Sequence, residues 1–263
     1  MTARVLVFDS GVGGLSVGAC IRQQMPGVML TFLADNVGFP YGNQPEATVI
    51  ARTVGLIGEQ LARYPADVVV VACNTASTVA LPALRAAISV PVVGVVPAIK
   101  PAAQMSVNRR IGVLATPATI RRSYLDDLVE DYASDCLVER IGHAELVLWI
   151  EHWTRGHSLP EAELSLALQP FRDAGVDTVV LGCTHYPLIL EQLAVLLPEV
   201  RFWVDSGEAI SRRAAWLLHR AGFSDDMLAR PAAFGHHNCV FSGDRPPGID
   251  SFLTGHGCVP GPI

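Results

Sequence analysis

Two cysteines occupy matching places in the chain. Cys73 ends the β-branched run DVVVVAC (67–73), and Cys183 ends DTVVLGC (177–183). Each is followed by small polar residues that open a helical pattern, Asn74-Thr75 after the first and Thr184-His185 after the second. A thiol at the start of a helix lies among free backbone N–H groups, which favour its thiolate. Two such thiols facing one another across a ligand would serve as acid and base on opposite faces of one carbon. A lone strand-end cysteine reads more simply as a small buried residue; the repetition argues for a role. Cys183 with His185 also fits part of a Cys–His nucleophile arrangement, which makes a Cys-dependent hydrolase the rival chemistry. That rival leaves Cys73 and Asp9 without a task.

Strands and helices alternate around these residues. ARVLVFDSG (3–11) reads as a strand ending at Asp9-Ser10, and residues 30–35 as a second strand. Residues 46–63 carry helical periodicity. The run 67–73 is apolar on both faces, as a central parallel strand is. A helix over 75–88 is weakened by Pro82, and VPVVGVV (90–96) reads as a fourth strand. The pattern restarts with RRIGVLAT (109–116), ending in Thr116. A helix from 118, a strand near 137–141, helices from 144 and over 160–174, and the strand 177–183 follow. A helix over 187–197, a strand over 201–205 and a helix over 208–221 close the regular part. This alternation predicts an α/β fold of doubly wound parallel sheets in two similar halves. The halves are expected over residues 1–97 with 208–263, and over 98–207, with the boundary near Pro97–Pro101.

Ligands of such sheets bind beyond the carboxyl ends of the strands. The polar residues there are Asp9, Ser10, Cys73, Asn74, Thr75, Thr116, Cys183, Thr184 and His185. Uncharged donors beside helix starts suit carboxylates. GVGG (11–14) permits close backbone approach but lacks the GxGxxG spacing, and no Walker sequence occurs. The single lysine, Lys100 in PAIKPA, reads as a linker residue, which disfavours a pyridoxal Schiff base.

Composition narrows the class. Of 263 residues, 50% are hydrophobic and 17% charged, which excludes a disordered chain. With 19 basic against 25 acidic residues, the formal charge of −6 offers no basic surplus for nucleic acid. The apolar stretch Val5–Phe8 stops at Asp9, too soon for a signal peptide. The charge-free run between Asp67 and Arg85 contains Asn74 and Pro82 and reads as strand, loop and helix rather than a membrane span. The expectation is a cytoplasmic protein with no membrane or nucleic-acid partner. None of the six cysteines forms a CxxC pair, so no metal site is expected, and HHNC (236–239) reads as surface. Cys20 and Cys136 read as packing residues. The tail from 224, rich in Gly, Pro and His, is expected to hold one short strand at Cys239–Ser242 and no chemistry.

Six segments together carry a resemblance: VFDSGVGGLSV (7–17), ADNVGFPYG (34–42), VVACNTAS (70–77), VVGVVPAIKPA (92–102), GVLATPATIRRSYL (112–125) and VVLGCTHYPL (179–188). In this order they resemble the motif blocks of the glutamate racemases. The resemblance implies two pseudo-symmetric α/β domains with the active site in the cleft between them. It also implies cofactor-independent inversion at Cα of glutamate and D-glutamate supply for bacterial peptidoglycan. It places the two catalytic cysteines on Cys73 and Cys183, an acid on Asp9, a histidine on His185 and a helper carboxylate on Glu151 in the less well matched LWIEHWTRG. Substrate contacts fall on Ser10, Tyr41, Gly42, Asn74, Thr75, Thr116, Thr119 and Thr184. By the same resemblance Cys73, assisted by Asp9, serves the D-enantiomer, and Cys183, assisted by His185 and Glu151, the L-enantiomer. An aspartate racemase of the same superfamily is the alternative, to be decided by the side-chain pocket. The apolar helix faces are compatible with a homodimer.

Overall fold

The structure, a computed structural model, describes residues 2–231 and 237–260. Along the chain run β1 (Arg4–Asp9), α1 (Leu15–Gln24), β2 (Met29–Ala34), α2 (Glu46–Arg63), β3 (Val68–Val71), α3 (Asn74–Ala87), β4 (Val92–Val93) and α4 (Ile99–Met105). There follow β5 (Arg110–Ala115), α5 (Pro117–Ile120), α6 (Ser123–Ala133), β6 (Leu137–Gly142), α7 (Leu146–Trp153), α8 (Glu161–Ala167), α9 (Gln169–Ala174) and β7 (Thr178–Leu181). The last elements are α10 (Leu190–Leu196), β8 (Phe202–Val204), α11 (Gly207–Arg220), α12 (Asp225–Ala229), β9 (His237–Phe241), α13 (Asp250–Gly255) and β10 (Cys258–Pro260).

The strands form two all-parallel sheets, ordered β10-β9-β2-β1-β3-β4 and β6-β5-β7-β8. Without β9 and β10, both sheets place their first four strands in the same order, second-first-third-fourth. The order reverses between β1 and β3 in one sheet and between β5 and β7 in the other. Crevices open at such reversals, at the carboxyl ends of the strands.

The two-sided apolar pattern of β3 has a direct cause. Val68 and Val70 pack in a core with Leu15 and Ile21 of α1 and Ile210, Ala214 and Leu218 of α11. Val69 and Val71 face the opposite side, with Ile57 of α2 and Leu84 of α3. In the second sheet, Val179 and Leu181 of β7 pack with Ile150 of α7 and Phe171 of α9. Val180 faces Ala102 of α4 and Leu125 of α6. Helix α11 thus returns to the first sheet, with Ile210, Ala214 and Leu218 on one face at helical spacing.

Several expectations are revised. Helix α3 runs through Pro82; burial of Ala76, Ala80 and Leu84 on its sheet-facing side offsets the missing N–H. The strand expected over 90–96 is only Val92–Val93. The helix over 160–174 breaks at Leu168 into α8 and α9, and the one over 187–197 begins as a 3₁₀ turn at Tyr186–Ile189. The tail holds more than one short strand: β9 pairs with β2, β10 extends the edge, and α13 buries Leu253 in the first core. Of HHNC, Cys239 is in that core and His237 Nδ1 accepts the Leu30 N–H at 3.2 Å; His236 lies outside the described residues. Among the described residues no helix is long and apolar enough to cross a membrane.

Candidate active site

The carboxyl ends of β1, β3, β5 and β7 converge on one narrow cleft. Both thiols line it, Cys73 from the turn after β3 and Cys183 from the turn after β7. Asp9, Ser10, Asn74, Thr75, Thr116, Thr184 and His185 line it too, with Tyr41 and Gly42. A resemblance between two halves of a sequence does not by itself bring their strand ends together; the facing of the sheets does.

Around Cys73 the chemistry is that of a neutral thiol beside a buried acid. Its Sγ lies 3.7 Å from Ser10 Oγ. Burial pushes the Cys73 thiol up to about 12, and the nearby Asp9 carboxylate adds to the rise. Asp9 is itself fully buried, which raises its pKa against the lowering effect of His185 and of its hydrogen bonds. Its Oδ2 accepts from Thr184 Oγ1 at 2.7 Å, and its Oδ1 from the Gly11 N–H at 3.2 Å and Ser10 Oγ at 3.3 Å.

Around Cys183 the partner is an imidazole. His185 Nδ1 lies 3.8 Å from Cys183 Sγ, and its Nε2 donates to Glu151 Oε1 at 2.8 Å. Burial pulls the imidazole pKa down, but contact with Cys183 and Glu151 outweighs it and lifts His185 well above 6.5. Burial would raise Glu151; its bond to His185, the charge there, and the Val12 N–H at 2.7 Å hold it below its ordinary value. Glu151, on α7, stands one residue back from the cleft and reaches it through His185.

The glycines of GVGG make room for this chain of groups rather than for a ligand. A Cβ on Gly11 would lie 2.2 Å from Glu151 Oε1, and one on Gly13 would lie 2.4 Å from His185 Nδ1. The first sheet's loop and the second sheet's histidine could not approach so closely with any side chain between them.

Thr119 is also outside the cleft wall. Its N–H donates to Thr116 Oγ1 at 3.3 Å, and the two hydroxyls are 3.1 Å apart, so it orients Thr116 at the start of α5. Asn74 Oδ1 is buried with no hydrogen-bond partner among the described residues; a buried amide oxygen of this kind suits an ammonium donor. Sequence reasoning missed Phe39, Pro40, Asn43, Ala144 and Val147, which complete the lining. The first three flank Tyr41-Gly42 and adjacency would have found them. Ala144 and Val147 carry no polar signal. The Phe39 ring covers His185, with centroids 5.6 Å apart.

Comparison with known proteins bears on this arrangement. The Asp/Glu/Hydantoin racemase family matches residues 16–214. The chain is 49% identical over 216 residues to the glutamate racemase of Sodalis glossinidius, covering 81% of this chain and 74% of that one. The crystal structure of Escherichia coli glutamate racemase in complex with L-glutamate and the activator UDP-MurNAc-ala matches with a TM-score of 0.89 at 42% identity, over 98% of this chain and 96% of that one. The aspartate racemase of Picrophilus torridus shares the fold, with a TM-score of 0.53 at 15% identity, over 86% of this chain and 98% of that one. With a family match over most of its length and a relative half identical across four-fifths of it, the chain belongs to the glutamate racemases of the Asp/Glu/Hydantoin racemase family.

Proposed function

We propose that the protein interconverts L- and D-glutamate by proton transfer at Cα between two cysteines, without an organic cofactor. The observation that carries this reading is that Cys73 and Cys183, from equivalent strands of two sheets, line the same cleft. One cysteine enters as thiolate and takes the Cα proton, becoming a thiol. The other enters as thiol and gives its proton to the opposite face, becoming a thiolate. The reverse reaction starts from the exchanged protonation states.

A Cα–H beside a carboxylate is a very weak acid, so the developing dianion needs fixed donors in a site shielded from water. Ser10, Asn74, Thr75 and Thr184 supply them, with Thr116, Tyr41 and Gly42 enclosing the rest of the substrate. His185, held protonated by Glu151, pairs with the Cys183 thiolate and favours abstraction from the L-enantiomer. Asp9, next to Ser10 and Cys73, assists at the other face. Residues 1–97 with 208–263 form one domain in this scheme and 98–207 the other, and the product feeds peptidoglycan in the bacterial cytoplasm.

The Cys183–His185 contact alone would also suit a Cys-dependent hydrolase, which predicts acylation of Cys183 and indifference to Cys73. The test is turnover of L-glutamate in deuterated water with no added cofactor. Deuterium is expected at Cα of the D-product, and Cys73→Ser and Cys183→Ser are each expected to cut two-way racemisation steeply with the fold intact. Retained racemisation in either variant rejects the two-thiol scheme. L-aspartate in the same assay separates the two racemase readings.

A further inference from the structure

The geometry points to Asp35 as the positioning residue that holds the cleft-lining loop 39–43, through Arg52 on one side and Ser242 of the tail on the other. Tyr41 lines the cleft, but its hydroxyl is spent elsewhere, donating to Asp35 Oδ2 at 2.6 Å. Arg52 grips the same carboxylate with both edges of its fork, Nε to Oδ2 and Nη2 to Oδ1, each at 2.6 Å. Ser242 Oγ donates to Oδ1 at 2.6 Å and the Gly38 N–H to Oδ1 at 3.2 Å. Asp35 is fully buried. A carboxylate without water is tolerated there only because donors from the loop, α2 and the segment after β9 saturate it.

The consequence is directional. Asp35 directly follows β2 and its N–H donates to the Asp9 carbonyl at 2.8 Å, so its donors are located relative to the strand end that carries Asp9. Gly38 lies so close to this pair that a Cβ would meet Arg52 Nε and Asp35 Oδ2 at 2.5 Å. From there the chain turns into Phe39, which covers His185, and into Tyr41-Gly42-Asn43 at the cleft wall. Neither Asp35 nor Arg52 lines the cleft. Their effect on catalysis passes through the loop, and it gives the tail a function that its own composition does not announce.

This inference rests on the reading of the cleft as a glutamate site, and the experiment separates the two. The variants are Arg52→Met, Arg52→Lys and Ser242→Ala, with KM and kcat measured for both enantiomers. Backbone hydrogen exchange is followed in the segment 36–45 and, as a reference, in the β3 segment 66–72. A loop in its competent arrangement a tenth of the time lowers apparent affinity about tenfold. Arg52→Met is accordingly expected to raise KM for both enantiomers about tenfold, with kcat changed less than about threefold. It should also unprotect 36–45 while 66–72 stays protected. Arg52→Lys should recover part of the affinity and Ser242→Ala should fall between. Unchanged KM with unchanged protection overturns the inference, and so does an equal loss of protection in both segments. Absence of glutamate turnover in the unaltered protein rejects the glutamate reading instead, and the exchange comparison still decides the loop.

Discussion

Thr184 and Asp9 meet in a 2.7 Å hydrogen bond that joins the turn after β7 in one sheet to the end of β1 in the other. Ser16 Oγ adds a bond to the Thr184 carbonyl at 2.8 Å, and the Val12 N–H reaches Glu151 at 2.7 Å. The halves are therefore tied by polar contacts at the same ends that carry the thiols. Such contacts are worth most where water is absent, and their loss is felt at the cleft first.

Thr184→Val keeps the shape and removes the hydroxyl, leaving the buried Asp9 short of a donor. Stability is expected to fall by about 1–3 kcal/mol in urea unfolding. Combined with Asp9→Asn, the two losses should be strongly non-additive, because one interaction is removed twice. Additivity within about 0.5 kcal/mol would show that the bond contributes nothing.

Glu151 offers a pH signature. Its folded pKa lies below its ordinary value of 4.5, so its stabilisation is fully present above that value and lost as pH falls through the folded one. In the unaltered chain His185, raised well above 6.5, is protonated both folded and unfolded below about pH 5 and adds no slope there. Asp9, raised above 3.8, works in the opposite sense but is present in both proteins compared. The difference in unfolding midpoint between the unaltered chain and Glu151→Gln should shrink as pH is lowered from about 5 to about 3. A pH-independent difference would contradict a depressed carboxyl. The same variant removes the counter-charge of His185, so the alkaline limb of L-to-D turnover should move to lower pH.

Two glycine substitutions should diverge. A Cβ at Gly13 would stand 2.4 Å from His185 Nδ1 and 2.6 Å from Thr184 Oγ1, while at Gly55 nothing lies within 4 Å. Gly13→Ala is expected to cost on the order of a hundredfold in kcat, since displacement by an ångström is enough. Gly55→Ala, in the interior of α2, should stabilise by about 0.5–1 kcal/mol with activity retained. Equal effects of the two on turnover would remove the proposed crowding at His185.

Asp177 tests the frame away from the chemistry. It accepts from Ser106 Oγ at 2.7 Å, Thr178 Oγ1 at 2.8 Å and the Val107 and Asn108 N–H groups at 2.8 Å each, joining the end of α4 to the start of β7. These donors outweigh burial and hold it below 3.8. Asp177→Asn turns an NH2 toward donors that need an acceptor, at an expected cost of about 1–3 kcal/mol by thermal unfolding. An unchanged Tm would mean that the loop satisfies these N–H groups in another way.

Local pattern alone determined much here. The β-branched runs before Cys73 and Cys183, and the polar residues after them, state strand, turn and helix start, because a strand buried on both faces needs apolar side chains at every position. The alternation of such runs with helical periods states the fold class, and the match between halves points to the equivalent strand ends. Tertiary structure alone decided what those ends meet. Arg52 lies 17 residues beyond Asp35 and Ser242 lies 207 beyond it; no period links them, and the parallel pairing of β9 with β2 is what brings Ser242 to Asp35. Glu151 finds His185 and Val12 across the interface between sheets, and the open side of GVGG is filled by an imidazole from the other half. The tail strands were obscured because HNCVF and CVP are short and sit among glycines and prolines. Their order comes from an edge that the first sheet already offers, since unpaired backbone N–H and C=O groups on β2 hold any compatible segment brought beside them.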